Sequence, residues 1–368
     1  MARPLLFVSA GDPSGDNATG RLVRALREIH PALELFGLGG PALMQAGQQQ
    51  LANSADLAVL GFWEVAKRFW FFRDLMNRCV EEITRRKPSC ILVADYPGFN
   101  LRLARRIKHL GIPIVYYISP QLWAWGKGRI AEIRELIDLM IVILPFEKQF
   151  YGGSGVRAEF VGHYLLEDIP SEYIGSAPPK SGQIALLPGS RPQEIARMLP
   201  SMLAAAQMFN RKYGSTAVVA ALRNGYDYEG HWRPFGDAGI AVRYDDTRSV
   251  LYESDLALTA SGTATLETAI IGRPMVVVYK TGFLTYQIAR RLVTIDKIGL
   301  VNLVLGEKVV PELIQNDANE RSMFAELERF HRDAALTERV CRRLNQIPGL
   351  LGGVGASERA ARLVNGFL

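Results

Sequence analysis

A carboxylate follows one of the most apolar runs in the chain and has the chemistry of a general base. Asp95 comes directly after the run Ile91–Ala94, at the start of the segment Asp95–Asn100. A carboxylate at the end of a buried strand can accept a proton from a substrate hydroxyl. The structural alternative is a cap for the helix expected near Leu101, and Asn100 is the better-placed residue for that cap. We favour catalysis for Asp95.

A second motif suits a diphosphate. Residues 187–191 read LPGSR, and the backbone of Gly189 and Ser190 offers hydrogen-bond donors. Arg191 adds a planar guanidinium, which matches the oxygens of a diphosphate in a forked geometry. The alternative is an ordinary surface arginine after a turn. At this position we favour binding.

A third motif, SGTATLE at residues 261–267, is the strongest local indication of a phosphate-binding site. Ser261, Gly262 and Thr263 can wrap a phosphate at a helix start, where free N–H groups and the helix dipole attract an anion. Glu267, about one turn into that helix, can accept hydrogen bonds from ribose hydroxyls. An ordinary serine-capped helix is the structural alternative.

A glycine-containing loop follows the first apolar run. It consists of Gly11, Asp12, Pro13, Ser14, Gly15 and Asp16. Glycines permit tight turns and close ligand approach, and the following helix start attracts anions. The loop lacks the G-x-G-x-x-G spacing of dinucleotide sites, and a purely structural turn is the alternative. His163, at the end of another short motif, is equally compatible with a structural and a site role.

The composition excludes several classes of site. The three cysteines show no C-x-x-C spacing, which argues against disulfides and zinc and fits a reducing compartment. The five histidines show no metal spacing and no Asp-x-Asp pair occurs, so we expect no metal and no cofactor. A net charge of +6 suits an anionic membrane, a nucleic acid or a phosphorylated substrate, and decides nothing alone.

Apolar strand patterns alternate with helical patterns in both halves of the chain. The expected strands are Leu5–Ser9, Leu35–Leu38, Ile91–Ala94, Ile114–Ile118, Leu139–Leu144, Ile184–Leu187, Ala217–Leu222, Leu256–Thr259 and Met275–Tyr279. Near-continuous Val, Ile and Leu runs separated by helices indicate parallel sheets covered on both faces. We therefore expect an α/β protein with two Rossmann-like domains facing each other across a cleft, and chemistry in the loops after the strands.

An irregular stretch with three prolines separates the two halves. We expect a first domain over residues 1–166, a linker over 167–183, a second domain over 184–345 and a helical segment over 346–368. The run at residues 5–10 is too short for a signal peptide, and the uncharged stretch 110–126 falls short of the roughly 20 residues that span a bilayer. No transmembrane helix is expected.

An aromatic and basic segment, GFWEVAKRFWFFRDLMNR, occupies residues 61–78. Its aromatic stripe is wider than one core-facing side of a helix needs. Aromatic rings with flanking basic residues suit the headgroup boundary of an anionic membrane. A core helix with two aromatic-rich turns is the alternative. The membrane contacts expected here are Phe62, Trp63, Phe69, Trp70 and Phe72.

Together these motifs resemble the lipid-A-disaccharide synthases, in which they occur in the same order. The resemblance runs from about residue 5 to 316. SPQLWAW combined with SGTATLE is specific to the family, whereas GSR alone is not. The shared segments are Gly11–Asp16, Gly37–Pro41, Val59–Phe62, Asp95–Asn100, Ser119–Trp125 (SPQLWAW), Leu144–Glu147 (LPFE), Phe160–His163, Leu186–Arg191, Ser261–Glu267, Arg273–Val277, Leu284–Tyr286, Arg290–Leu292 and Val310–Leu313.

The resemblance implies a GT-B fold, with the acceptor bound by the first domain and UDP by the second. The implied reaction is the inverting transfer of 2,3-diacylglucosamine from UDP-2,3-diacylglucosamine to 2,3-diacylglucosamine 1-phosphate (lipid X), which gives the lipid A disaccharide 1-phosphate and UDP. The site residues that follow are Asp95 as general base, Gly189, Ser190, Arg191, Ser261, Gly262, Thr263, Glu267 and Asn302 around UDP, and Gly11, Asp12, Ser14, Gly15 and Asp16 in the acceptor loop.

The family further implies a peripheral enzyme on the cytoplasmic side of the inner membrane, with an anionic membrane surface and no nucleic acid as partner. In this family the C-terminal helices can cross to the other domain or to a partner subunit, so the resemblance allows a homodimer formed through these helices. The sequence departs from the family pattern at Asp12, where glutamate is usual, and at Gly98, where a second acid is frequent. The alternatives are another GT-B enzyme acting on UDP-sugars, such as a UDP-N-acetylglucosamine 2-epimerase or the peptidoglycan glucosaminyltransferase, and a non-catalytic membrane-surface binder.

Overall fold

The chain forms two compact units. The structure, a computed structural model, describes residues 3–53, 69–124, 126–221, 240–282, 286–287 and 296–368. The first unit comprises Met1–Tyr164 and Gly352–Leu368, and the second comprises Leu165–Leu351. Each unit contains its own parallel sheet.

The strands and helices of the described residues follow one another in the order expected of alternating α/β units. The strands are β1 (Leu5–Ala10), β2 (Glu34–Gly39), β3 (Gln48–Asn53), β4 (Cys90–Ala94), β5 (Ile114–Tyr117), β6 (Leu139–Val142), β7 (Ala158–Phe160), β8 (Gln183–Leu187), β9 (Thr216–Ala221), β10 (Ala241–Tyr244), β11 (Leu256–Ala260), β12 (Met275–Tyr279) and β13 (Glu312–Ile314). The helices are α1 (Pro13–Ile29), α2 (Pro41–Gln45), α3 (Phe69–Arg86), α4 (Pro97–Ile107), α5 (Ile130–Leu136), α6 (Pro145–Gly152), α7 (Pro192–Tyr213), α8 (Thr247–Tyr252), α9 (Thr263–Ile271), α10 (Leu300–Leu305), α11 (Glu320–Arg332), α12 (Ala334–Leu344), α13 (Ile347–Leu350) and α14 (Ala356–Asn365).

The sheet of the first unit has the order β3-β2-β1-β4-β5-β6-β7, and its strand pairs are parallel. The chain first builds outward from β1 through β2 to β3 and then starts again at β4 on the other side of β1. The change of direction therefore lies between β1 and β4, whose last residues, Ala10 and Ala94, are paired. Both strands are almost completely buried because helices cover the two faces.

The sheet of the second unit repeats this plan with the order β10-β9-β8-β11-β12-β13. Its pairs are also parallel. Here the change of direction lies between β8 and β11, with Leu187 opposite Thr259. The expected fold class of two Rossmann-like α/β domains is confirmed.

The strands that the apolar pattern did not predict are those at the sheet edges. These are β3 and β7 in the first sheet and β10 and β13 in the second. An edge strand pairs with only one neighbouring strand and is only partly covered by helices, so it needs no continuous apolar run. The sequence of β3, for example, is QQQLAN.

Two helices begin earlier in the sequence than expected, each at a proline. The predicted loop over residues 11–16 is shorter, because α1 begins at Pro13 and Asp12 is its N-cap. Likewise α4 begins at Pro97 and not near Leu101, so Asn100 lies inside the helix and does not cap it. Proline is favoured in the first helical turn, where its missing N–H is not needed.

The expected linker and C-terminal segment divide between the units differently from their predicted bounds. Residues 167–183 belong to the second unit, where the Gly175 N–H donates to the Ile270 carbonyl at 2.8 Å. The last helix, α14, packs on α1 in the first unit, and Asn365 contacts the His30 ring nitrogen at 2.5 Å. The proline-containing stretch 167–183 is therefore irregular in conformation but forms part of the second unit. Among the described helices, none is long and apolar enough to cross a membrane.

Candidate functional site

The loop residues 11–12 and the turn at Asp95 lie side by side at the carboxyl edge of the first sheet. They follow β1 and β4, the neighbouring strands between which the chain changes direction. Open α/β sheets bind ligands at this position, because the loops on the two sides diverge and leave a crevice. The structure therefore brings the expected base and the expected acceptor loop together.

The turn at Asp95 has a backbone conformation that residues other than glycine rarely adopt. Asp95 has φ +44° and Tyr96 has φ +47°, both in the left-handed region. Such residues cost of the order of 1 kcal/mol or more each, and they persist only where surrounding contacts enforce them. The half-buried Asp95 thus occupies an enforced turn at the end of a buried strand.

Asn100 supplies much of that enforcement from inside α4. Its side chain is fully buried, and its Nδ2 donates to the carbonyls of Ala94 at 3.1 Å and Asp95 at 2.8 Å. Its Oδ1 accepts a 2.7 Å hydrogen bond from the hydroxyl of Ser9 on β1. The same network therefore joins the ends of β1 and β4.

Gly11 and Gly15 allow the loop after β1 to pack closely against the Asp95 turn. A Cβ atom on Gly11 would lie 2.3 Å from ring atoms of Tyr96, so no larger residue fits. A Cβ atom on Gly15 would lie 2.5 Å from Asp12 Oδ1 and 3.9 Å from Asp95 Cβ. The two glycines therefore permit close packing between the loop and the Asp95 turn, whereas the close ligand approach expected from the sequence stays a prediction.

The two acids of this loop have different surroundings. Asp12 is half-buried; its Oδ1 accepts from the Gly15 N–H at 2.8 Å and its Oδ2 from the exposed Ser14 hydroxyl at 3.1 Å. Asp16 is only 2% exposed, and its carboxylate accepts from the backbone N–H groups of Gly40, Ala42 and Leu43 at 2.7, 2.8 and 3.2 Å. Asp16 therefore stabilises the start of α2.

A buried carboxylate connects two of the motifs that carry the family resemblance. Glu147, at the start of α6, accepts from the hydroxyl of Ser119 at 2.8 Å and from the indole Nε1 of Trp123 at 3.1 Å. Its second oxygen accepts from the Leu144 N–H at 3.0 Å, as in a capping box. Burial raises the pKa of Glu147 to about 7, against the effect of these donors. The segment after β5 is thus fixed to the start of α6.

In the second unit, the GSR and SGT motifs are neighbours at the carboxyl edge of the sheet. GSR follows β8 and SGT follows β11, and these adjacent strands again flank the change of direction. Each motif leads into a helix, α7 or α9, so two helix N-termini begin at the same edge. Paired N-termini at this position are suited to an anion such as a diphosphate.

The start of α9 leaves backbone donors exposed to a ligand. Its N-cap, Gly262, has φ +147° and provides no side-chain cap, and a Cβ there would meet only open space. Ser261 directs its hydroxyl to the Ile298 carbonyl at 2.9 Å, whereas Thr263 is exposed. The first N–H groups of the helix are therefore available for an anion.

The start of α7 presents the expected arginine. Arg191 is its N-cap and has a side chain 63% exposed, with Nη1 2.9 Å from Oε1 of Glu194. Gly189 has φ +111°, and a Cβ there would lie 2.9 Å from Oε2 of Glu194. Ser190 is exposed between them.

Glu267 lies one turn into α9 and has a cationic neighbour that the sequence did not reveal. Arg248, on α8, directs its Nε to Oε1 of Glu267 at 3.4 Å and its Nη1 to the Asp168 carbonyl at 2.6 Å. Arg248 and Glu267 are 19 positions apart and Arg248 belongs to none of the motifs, so only the fold brings the two together.

Asn302, which the family resemblance assigned to the donor site, is fully buried on α10. Its Oδ1 accepts from the N–H groups of Val309 and Val310 at 2.9 and 3.1 Å. Its Nδ2 donates to the Val310 carbonyl at 2.9 Å and to Glu312 at 2.8 Å. These contacts use the whole amide to order the chain between α10 and β13.

His163 is also buried, and burial lowers its pKa to about 3, so its ring is neutral. Of the expected membrane contacts, Phe62, Trp63 and the side chain of Phe69 lie outside the described residues. Trp70 is 62% exposed, whereas Phe72 is half-buried and packs against the core. Within the described ranges, no group of three or more His, Cys, Asp or Glu residues has the arrangement of a metal site.

Comparison with known proteins gives a consistent result along the chain. Residues 6–342 match the lipid-A-disaccharide synthetase family. The lipid-A-disaccharide synthase of Anaeromyxobacter dehalogenans is 40% identical over 373 residues, covering 99% of this chain and 97% of the relative. That of Myxococcus xanthus is 37% identical over 370 residues, covering 98% of this chain and 97% of the relative.

Solved structures share the fold at low sequence identity. The Staphylococcus aureus MnaA structure with UDP has a TM-score of 0.66 at 14% identity, covering 98% of this chain and 95% of that one. Acinetobacter baumannii MurG has a TM-score of 0.58 at 11% identity, covering 99% of this chain and 100% of that one.

Proposed function

The chain belongs to the lipid-A-disaccharide synthase family and is a glycosyltransferase of lipid A biosynthesis, and we propose that it transfers 2,3-diacylglucosamine from UDP-2,3-diacylglucosamine to 2,3-diacylglucosamine 1-phosphate. The products are the lipid A disaccharide 1-phosphate and UDP, and the transferred sugar inverts at its anomeric carbon. One observation carries the assignment of the site: in each unit, the expected motifs flank the point where the strand order changes direction.

Asp95 is the general base of the proposed reaction. As the acceptor hydroxyl attacks the anomeric carbon, its proton passes to the Asp95 carboxylate. The new glycosidic bond forms on one face of the sugar while the bond to the diphosphate breaks on the other. The enforced turn supports this role, because a catalytic carboxylate needs a fixed direction, and the buried Asn100 holds the backbone beneath it.

The leaving UDP acquires negative charge, which the second unit is suited to stabilise. The N-termini of α7 and α9 offer N–H groups and positive dipole ends, and Arg191 offers an exposed guanidinium that can exchange its contact with Glu194 for the diphosphate. Ser190, Gly262 and Thr263 bring backbone and hydroxyl donors. Glu267 binds the ribose hydroxyls of the donor.

Asp12 and Ser14 are the proposed acceptor contacts of the first unit. Both lie at the start of α1, where their side-chain oxygens can form hydrogen bonds with hydroxyl groups of the acceptor sugar. Gly11 and Gly15 keep the loop close to the Asp95 turn, and Asp16 fixes the neighbouring helix α2.

An aromatic and basic surface at the start of α3 is the proposed contact with an anionic membrane. Trp70 is 62% and Phe71 39% exposed, and the guanidinium of Arg73 lies 4.0 Å from the centre of the Trp70 ring. An amphipathic pair of this kind suits the headgroup boundary, from which acylated substrates must be drawn.

Product formation from defined substrates tests the proposal. The purified protein is incubated with UDP-2,3-diacylglucosamine and 2,3-diacylglucosamine 1-phosphate, and UDP and disaccharide are quantified. Release of both in equal amounts is expected, with no UDP released in the absence of acceptor. UDP-N-acetylglucosamine is the matched control: epimerisation of this compound, or its transfer at a comparable rate, would assign the chain to the related GT-B activities instead.

A further inference from the structure

Three charged residues of the second unit form a cluster beside the start of α9. Arg248 lies between Asp168 and Glu267. The side chain of Arg248 is 35% exposed, that of Asp168 15% and that of Glu267 17%. Asp168 lies in the turn that follows the short 3₁₀ helix Tyr164–Glu167, Arg248 is on α8 and Glu267 is on α9. We refer to these residues as the Arg248 cluster.

Asp168 fixes one edge of the Arg248 guanidinium. Nη1 donates to the Asp168 carbonyl at 2.6 Å, and Nη2 lies 3.5 Å from the Asp168 carboxylate. Because a guanidinium is planar and rigid, anchoring its Nη edge also fixes the direction of Nε. That third donor points to Oε1 of Glu267 at 3.4 Å.

Glu267 in turn has one oxygen engaged and one available. Burial raises the pKa of its carboxyl, whereas the charge and hydrogen bond of Arg248 lower it and so favour the carboxylate. In the described part of the chain, Arg248 is its only hydrogen-bond donor, and the bond goes to Oε1. Glu267 is four residues after Thr263, so both lie on one face of α9, about 6 Å apart along its axis.

We propose that Arg248 is a positioning residue for nucleotide recognition: anchored by Asp168, it holds Glu267 as an oriented carboxylate whose second oxygen selects a ribose over a deoxyribose. The inference rests on the proposed donor site at α9. It adds a specificity determinant that touches no substrate atom itself. Without Arg248, the carboxylate would lose its orienting donor and its neutralising charge.

A purely structural role for Arg248 predicts a different result. Its contacts also connect the chain at Asp168 with α8 and α9, so its loss should lower stability under either reading. Only the positioning role makes Arg248 matter for a hydroxyl of the ligand. Discrimination between UDP and an analogue without those hydroxyls therefore separates the two.

The experiment compares the affinities of UDP and 2′,3′-dideoxy-UDP by calorimetry. Wild type should favour UDP by roughly 10- to 100-fold, the value of a charge-assisted hydrogen bond to a ligand hydroxyl. Glu267→Gln should remove most of this preference. Arg248→Met should reduce it to a similar level, and Arg248→Lys should restore part of it. Arg211→Met, at an exposed position on α7, is the matched control and should retain the wild-type ratio.

The possible outcomes separate the two assignments. A wild-type ratio in Arg248→Met, together with its loss in Glu267→Gln, overturns the role of Arg248 and leaves the donor site intact. A wild-type ratio in Glu267→Gln overturns the ribose assignment of the proposed function, and the inference falls with it. If Arg248→Met does not fold, Arg248→Lys carries the test, because it keeps the positive charge but lacks the planar guanidinium whose anchored Nη edge directs Nε, and it should lower the ratio at least threefold; an unchanged ratio there overturns the inference.

Discussion

The hydroxyl of Tyr116 donates a 2.6 Å hydrogen bond to the backbone carbonyl of Asp95, so a buried β5 side chain supports the turn that carries the proposed base. Asn100 donates to the same oxygen at 2.8 Å. Two donors on one carbonyl offset the cost of a left-handed backbone at Asp95. The position of the carboxylate therefore depends on hydrogen bonds made to the backbone of Asp95.

Replacing Tyr116 by phenylalanine should affect turnover through this turn. The ring remains, so the core keeps its packing, but one of the two donors is lost. We expect a loss of stability of about 0.5–1.5 kcal/mol, a several-fold lower kcat and unchanged UDP affinity. Thermal unfolding, turnover and calorimetry measure the three quantities. A less stable variant with the wild-type kcat would show that Asn100 alone holds the turn.

Asp95→Asn tests the base directly. The amide keeps the shape of the side chain but accepts no proton, so the rate of disaccharide formation should fall by roughly 10²- to 10⁴-fold. UDP affinity should change little, because the proposed UDP site lies in the second unit. Asp138→Asn is a suitable control, since that carboxylate contacts Lys108 and the Ile114 N–H. Near-full activity of Asp95→Asn would place the base elsewhere.

The central strands could be predicted from the sequence because burial on both faces demands apolar residues. Ile91–Ala94, within β4, is such a run, and its neighbours in the sheet are of the same kind. The edge strands could not be predicted in this way, since a strand that is only partly covered by helices can have a polar sequence such as QQQLAN in β3. Their pairing is decided by the neighbouring strand and cannot be seen in the local pattern.

The site was predictable in its motifs but not in its contacts. Glycine, serine and arginine after a strand indicated the helix starts of α7 and α9, which we propose as the anion-binding positions. Burial, however, is a property of the whole fold, so the sequence could not separate the exposed Arg191 from the enclosed Asn302. The contact between Arg248 and Glu267 joins two helices and leaves no sequence signal.

Arg191→Ala tests the proposed diphosphate site. Loss of the guanidinium should weaken UDP binding by roughly 10- to 100-fold, because a charge-assisted contact disappears. Uridine has no phosphates, so its affinity should be unchanged in the same variant. Arg197→Ala, at an exposed position of the same helix, provides the control. Equal losses for UDP and uridine would indicate a distorted site, and unchanged UDP affinity would remove Arg191 from it.

The buried Glu147 should give the protein a stability that depends on pH. Burial raises its pKa from 4.5 to about 7, so the folded state binds the proton more tightly than the unfolded state does. The stabilisation is fully present below pH 4.5 and is lost as pH rises to about 7. The difference corresponds to the order of 3 kcal/mol.

Denaturant unfolding of wild type and Glu147→Gln across pH 4 to 8 isolates this contribution, because glutamine does not titrate. Wild type should lose stability relative to the variant between about pH 4.5 and 7. A difference that stays constant over this range would mean that Glu147 is ionised throughout and that its donors outweigh its burial.

The start of α3 contains aromatic side chains that face in different directions, which allows membrane contact and core packing to be tested separately. Trp70 and Phe71 are exposed, whereas Phe72 packs against the core of the first unit. A double variant, Trp70→Ser with Phe71→Ser, should therefore keep its thermal midpoint but lose most of its sedimentation with vesicles of phosphatidylglycerol and phosphatidylethanolamine. Phe72→Ser should instead lower the midpoint, because it leaves a cavity.

Binding of the wild-type protein to these vesicles should weaken with added salt, since Arg73 contributes electrostatically. A folded double variant that still sediments like wild type would exclude this surface as the membrane contact.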